Sequence, residues 1–436
     1  MLVLAVPLLA QGNNPVILIP GLSGSELRNK VTGEKIWFKT LKPKSEDIRL
    51  PISNDVAKLG DDIEPGDILR NIKVGPISVT DIYGGFIKAM ELRAGYLEEK
   101  WDEPGQEGYH DSLYVYPYDW RLDNVENARR LVRKVEALKK KLGRPDLKFD
   151  VVGHSMGGLI ARYAAMYGDA DLPPGNAAPK PTWAGAKHFD KIVQVGTPNE
   201  GSVISLSTLV GGFSLAGIHI DLPFFQDASK FTAFTIPVAY QLLPAPGTLR
   251  AFDDRLEPIE IDLYDPKTWT KYGWNPIDDK EFAQEFSFAE RKIAPAFFAA
   301  SLARAKRLYE ALSAPSGKDR GVEFHMVGAD CKTAPDAVVI YRDRDSNKWK
   351  TIFRPKDFVR SDGTKITDDE VKKIMMTPGD AVVSRRSLEG KADVDSTKFI
   401  CGEHYKLASL NPVQDYIIGL LTGKVVPAKP EIVGHR

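Results

Sequence analysis

Phe149-Asp150-Val151-Val152-Gly153-His154-Ser155-Met156-Gly157-Gly158-Leu159-Ile160 is the stretch on which the reading of this chain turns. A β-branched run leads into Gly153, and a helical pattern carrying Leu159, Ile160, Tyr163 and Ala164 follows, with a stop near Gly168. Gly-x-Ser-x-Gly between a strand and a helix puts a serine on a sharp turn, its backbone strained and its oxygen pushed out at the sheet edge. Gly153 and Gly157 remove the β-carbons that would collide with the turn and its neighbours. A helix starting at Met156 points its dipole and free amides at developing negative charge. The bland alternative, a capped surface turn with a solvated serine, does not require this strand and helix. A partial copy of the motif, Gly212-Phe213-Ser214-Leu215-Ala216, lacks a preceding strand and is set aside.

Five apolar runs, within the serine stretch and on either side of it, read as buried parallel strands: Pro15–Pro20, Ser112–Pro117, Leu147–Gly153, Lys191–Gly196 and Val322–Gly328. Between the second and third lies a helix that Asp123 or Asn124 can cap. Leu131, Val132, Val135, Leu138 and Leu142 share one of its faces, and Gly143 and Pro145 stop it. Strand, helix and strand in that order form a βαβ unit, so the sheet is at least partly parallel. Two stretches break the rhythm: an irregular one from 27 to about 80 with an isolated Trp37, and one from 201 to about 315. The second ends in a long helical pattern near Phe282–Leu312. Both read as insertions on the core.

The chain has 436 residues, with 59 basic and 59 acidic side chains; 43% of it is apolar and 27% charged. That composition excludes a disordered or fibrous protein, and zero net charge removes the electrostatic footprint of a nucleic-acid binder. Two cysteines exclude a disulfide scaffold and a four-cysteine zinc site. Cys331 and Cys401 either pair or remain two buried thiols. The seven histidines are dispersed, without the paired spacing of a metal site, and no cofactor is expected.

Met1–Ala10 is apolar throughout and reads as a leader, in an exported protein, or as an N-terminal strand in a cytoplasmic one; the first is favoured. Ser202–Ile220 carries no charge, yet nearly half of it is Ser, Thr, Gly or His, so no transmembrane span is expected. The expected organisation is a possible leader at 1–12, a first core part at 13–200, a cap at 201–315, a second core part at 316–425 and a tail at 426–436.

A serine hydroxyl needs a base to take its proton. His154 adjoins the serine and by strand geometry points elsewhere; His110 precedes it, where this turn type expects acid and then histidine afterwards. His188 and His219 lie in loop or insertion, His325 inside an apolar strand, His435 in the tail. His404 follows a short strand and Gly402, where a mobile base belongs. Two acids compete to orient it, Asp330 after the strand ending at Gly328 and Asp380 in a tight turn. Position alone does not separate them.

Together these residues resemble the lecithin:cholesterol acyltransferase family, which includes lysosomal phospholipase A2 and phospholipid:diacylglycerol acyltransferases. Pro15–Gly21 is similar to the family's opening strand and oxyanion loop, Tyr116-Pro117-Tyr118-Asp119-Trp120-Arg121-Leu122 to its Pro-Tyr-Asp-Trp-Arg signature, and Gly153–Gly157 to its serine turn. Gln241-Leu242-Leu243-Pro244 and Tyr272-Gly273-Trp274 resemble segments of its cap. The family's acid lies in a Gly-Asp-Gly-Thr-Val turn, which falls on Gly379–Val383 and favours Asp380; here Ala381 and Val382 stand in place of Gly and Thr. Its histidine falls on His404.

The resemblance implies an α/β-hydrolase fold, mostly parallel sheet flanked by helices with a cap, and a catalytic set of Ser155, Asp380 and His404 with an oxyanion hole from the amides of Leu22 and Met156. The expected activity is a serine-dependent lipid acyl hydrolase or O-acyltransferase, its lipid substrate presented at a membrane or micelle surface. The apolar cap around Val203–Phe225 and the Trp37 loop would cover an acyl groove or simply pack the cap onto the core. Tyr118–Arg121 reads as a structural, hydrogen-bonded corner. The alternatives are a carboxylesterase or amidase for small soluble substrates and a catalytically silent lipid-binding protein of the same fold.

Overall fold

The structure, a computed structural model, describes residues 13–38, 48–74, 78–105, 111–175, 177–212, 229–315, 317 and 319–424. The leader, the Ser214 motif, His110, His219, His435, the tail beyond 424 and the cap segment 213–228 lie outside these residues.

Among the described residues seven strands form the central sheet: β1 (Val16–Ile19), β2 (Tyr96–Glu98), β3 (Asp111–Val115), β4 (Phe149–His154), β5 (Phe189–Val195), β6 (Glu323–Gly328) and β7 (Ser396–Phe399). Their spatial order is β7-β6-β5-β4-β1-β3-β2, and each neighbouring pair is parallel. The central strands β1 and β4 are buried along their whole length, which is why they read as unbroken apolar runs. Three-residue β2 at the sheet edge escapes any sequence pattern.

Helix α1 (Asn124–Leu142) begins at Asp123, whose carboxylate accepts from the Glu126 amide at 3.0 Å. It ends at Gly143 in a left-handed conformation, φ 65°. Leu131, Val132, Val135 and Leu138 bury its inner face, as the spacing predicts. Helix α2 (Met156–Tyr167) follows β4 and is buried from end to end. This is the α/β-hydrolase fold: a large parallel sheet flanked by helices, with the serine turn between β4 and α2.

The cap packs around a second hydrophobic cluster, which it shares with Leu50, Ile52, Val56 and Leu59, with Phe234 against Phe282, Phe286, Phe297 and Phe298. It includes α3 (Val203–Gly211) and α4 (Phe288–Leu312). The long helical pattern expected near Phe282–Leu312 is in fact two helices. Ser287 starts a capping box with Glu290, while Phe286 is extended and buried, so the first helix ends at Glu285. Residues 316–425, expected as core, also reach into the cap: Ala337–Arg342 pairs in parallel with Arg250–Phe252 and antiparallel with Trp349–Ile352.

Buried polar side chains fasten cap to core. Arg304 and Gln241 of the cap both donate to Asp123, the residue that caps α1. Arg162 on α2 donates to Asn199 at 2.8 Å and to the Leu312 carbonyl at 2.6 Å, satisfying the C-terminal end of α4. Its burial lowers the guanidinium to about 10.

Candidate active site

Ser155 sits between β4 and α2 with φ 51° and ψ −125°, a backbone region that residues bearing a β-carbon rarely visit. The turn closes because its glycines make room. A β-carbon on Gly157 would come within 2.6 Å of the Ile19 and Pro20 carbonyl oxygens, and one on Gly153 within 2.8 Å of the Gly157 backbone. The Ser155 amide is tied to the Val195 carbonyl of β5 at 2.7 Å, so the neighbouring strand holds the turn down.

His404 opens a 3-10 turn after β7, and its Nε2 lies 2.8 Å from Ser155 Oγ. On its other side Nδ1 lies 2.7 Å from Asp380 Oδ2. The carboxylate accepts, so Nδ1 carries the proton and Nε2 is left to accept the serine hydroxyl hydrogen. Asp380 is fully buried, and its other oxygen accepts from the amides of Val382 at 3.0 Å and Val383 at 2.7 Å. The His404 amide donates to the Asp380 carbonyl at 2.9 Å, which fixes the two loops to each other. Ala381, next to the acid, adopts φ 79°, a left-handed backbone that favours glycine.

Asp330, the rival acid, is elsewhere: it pairs with Arg385 at 2.9 Å. His325 is satisfied in the core by Ser396 and Glu323. His188 is buried near Lys139 and Glu136, and burial lowers it to about 4. His154 does not follow the expectation that it points away from the site. It lines the same cavity as Ser155, is buried, and its ring centre is 5.2 Å from that of His404. No spacing in the sequence announces this, because its partners are more than 70 residues away in either direction.

The loop after β1 lies against the serine: a β-carbon on Gly21 would come within 2.9 Å of Ser155 Cβ. Leu22 follows, with its side chain 39% exposed. Among the described residues neither the Leu22 amide nor the Met156 amide has a hydrogen-bond acceptor, so both are free to donate. The Tyr118–Arg121 corner grips this loop. Tyr118 Oη donates to the Pro20 carbonyl at 2.9 Å, Trp120 Nε1 donates to the Ser25 carbonyl at 3.2 Å, and Arg121 forks onto Asp61 at 2.8 Å. Trp37 is buried against Trp120, rings 5.1 Å apart, and donates to the Ser23 carbonyl at 2.9 Å.

Over Ser155 and His404 opens a cavity of about 250 Å³. Leu69, Ile72 and Ile82 form one wall, and Ile204, Ile236 and Val238 of the cap another. None of the described residues lining it is Asp, Glu, Lys or Arg. The hydroxyls of Ser202, Ser205 and Thr208 on this surface all donate to backbone carbonyls, so they present little polarity. Among the described residues no group of three His, Cys, Asp or Glu stands close enough to hold a metal ion, and no helix is long and apolar enough to cross a membrane.

Residues 91–297 match the family model described as Lecithin:cholesterol acyltransferase. That span holds the Tyr116–Leu122 corner, the serine turn and most of the cap, and stops short of Asp380 and His404. No curated protein matches the chain. Among solved structures, that of a Tle4-Tli4 complex is similar at 15% identity, covering 94% of this chain and 97% of that one with a TM-score of 0.53. Lipase BlEst2 of Bacillus licheniformis in its mature form is 12% identical, over 95% and 94% of the two chains, with a TM-score of 0.35. A gene product of Listeria innocua is 10% identical over 95% and 96%, with a TM-score of 0.36. At such identities the first likeness speaks for the fold alone.

Proposed function

We propose, for a chain whose residues 91–297 match the lecithin:cholesterol acyltransferase family, that it is a serine-dependent lipid acyl hydrolase or O-acyltransferase. Ser155 Oγ attacks the ester carbonyl while His404 Nε2 takes its proton and returns it to the leaving alcohol. Asp380 holds the imidazole in the required tautomer and stabilises its positive charge. The amides of Leu22 and Met156 donate to the oxyanion; one such donor is typically worth about 3 kcal/mol of transition-state stabilisation. The acyl-enzyme then passes to water or to a second alcohol, and the acceptor depends on how the cavity admits water.

One observation carries this reading: the 2.8 and 2.7 Å line from Ser155 through His404 to Asp380 opens on an uncharged, apolar cavity. Such a cavity favours an acyl chain over a small polar ester. The substrate would be a lipid at a membrane or micelle surface.

The test compares wild type with Ser155→Ala on long-chain phospholipid vesicles, with and without an added alcohol or sterol, scoring free fatty acid against new ester. Ser155→Ala should lower turnover by about four orders of magnitude or more and abolish fluorophosphonate labelling. Near-normal turnover in that variant would overturn the assignment. A strong preference for short soluble esters would point to a carboxylesterase, and an unlabelled, inactive wild type to a silent lipid binder.

A further inference from the structure

His154 sits in a chain of three buried hydrogen bonds that the acyl chemistry described above does not use. The Gly21 amide donates to Tyr83 Oη at 2.8 Å, Tyr83 Oη lies 2.8 Å from His154 Nδ1, and His154 Nε2 lies 2.9 Å from the His404 carbonyl oxygen. A carbonyl only accepts, so Nε2 carries the ring proton; Nδ1 then accepts, and the Tyr83 hydroxyl donates to it. Every bond therefore runs in one direction, from the loop after β1 to the loop after β7, and bonds in such a series strengthen one another. Burial holds the His154 imidazole down at about 3, so it stays neutral.

The two ends are the parts that acyl transfer must align. Gly21 adjoins Leu22; its own amide is committed to Tyr83, while that of Leu22 stays free to donate. The other end is the backbone of the base itself. We propose that Tyr83 and His154 are positioning residues, which register the oxyanion loop at Gly21–Leu22 and the base at His404 against Ser155 through one hydrogen-bonded chain. This role rests on the reading of Ser155 as the nucleophile. Misplacement of such groups by 1 Å costs about a hundredfold in rate, so a partial loosening should be easily read.

The experiment measures steady-state turnover of a long-chain ester, inhibition by a long-chain trifluoromethyl ketone, and thermal melting. It uses wild type, Tyr83→Phe, His154→Leu, His154→Gln and the Ser155→Ala control. Tyr83→Phe keeps the ring in the cavity wall but removes the acceptor for Gly21 and the donor to His154. It should lower kcat about tenfold with KM within about twofold, and weaken the ketone, which mimics the tetrahedral adduct, by the same factor. His154→Leu should lose at least as much. His154→Gln, whose amide can still donate to the His404 carbonyl, should recover part of it.

The proposal is overturned if Tyr83→Phe and His154→Leu keep kcat within about twofold of wild type. It is equally overturned if their losses only follow a fall in folded protein, with ketone affinity unchanged. Turnover that survives in Ser155→Ala would instead fell the nucleophile reading, and this role with it, so the control tells the two failures apart.

Discussion

Asp150 lies on β4, five positions before Ser155, and is buried. Its Oδ1 accepts from the Lys191 amide at 3.0 Å and from Asn14 at 3.3 Å, while Oδ2 has no partner among the described residues. Burial raises this carboxyl from its ordinary 3.8 to about 6. The folded protein thus keeps a proton that the unfolded chain releases near pH 4. Whatever stability this group contributes is present below that point and is lost as pH rises through about 6. Asp150→Asn should therefore be more stable than wild type at pH 8, by roughly 2–3 kcal/mol, with the gap closing toward pH 4. Thermal melts at both ends of that range decide it; a gap that does not change with pH would refute the assignment. Ala381 also carries a local cost. Its left-handed backbone costs about 1 kcal/mol relative to glycine, and the two amides that Asp380 Oδ1 gathers hold it there.

Cys331 and Cys401 form a disulfide, so the ends of the adjacent strands β6 and β7 are clamped together. Cys401 lies three residues before His404. Lys332, next to Cys331, pairs with Gly379, which precedes Asp380. Acid and base loops are thus joined through one bond, and both cysteines are exposed to a reductant. Reduction, or the double substitution Cys331→Ser and Cys401→Ser, should cost about 4 kcal/mol in melting and lower kcat more than KM. Unchanged melting after verified reduction would count against a clamping role.

The strands and the serine turn were legible because burial on both faces writes itself as continuous apolar runs, and because glycine spacing is local. His154 was not, since its meaning lies in a tyrosine 71 positions earlier and a carbonyl 250 positions later. Nor was the entry of Ala337–Arg342 into the cap sheet, because strand pairing at a distance leaves no period. The break at Phe286–Ser287 was written in Ser287 and Glu290, a capping box that the surrounding apolar pattern hid.

For the molecule as a whole, the cavity lies between the segment that brings Leu69 and Ile72 and the cap that brings Ile236 and Ala239, over the loops that carry Ser155 and His404. Ala239→Phe would fill part of that space. The ratio of kcat/KM for a palmitoyl over a butyryl ester should fall at least about tenfold, since even one methylene excluded from such a pocket costs discrimination of that order. An unchanged ratio would mean that the acyl chain leaves by another route.

Position 22 offers an unusual freedom. On the proposed reading Leu22 contributes its backbone N–H to the chemistry, while its side chain faces partly outward at the rim. Saturation libraries there can therefore recast which molecules are admitted while the donor stays in place. The neighbouring glycine, pressed against the nucleophile, tolerates no such rewriting.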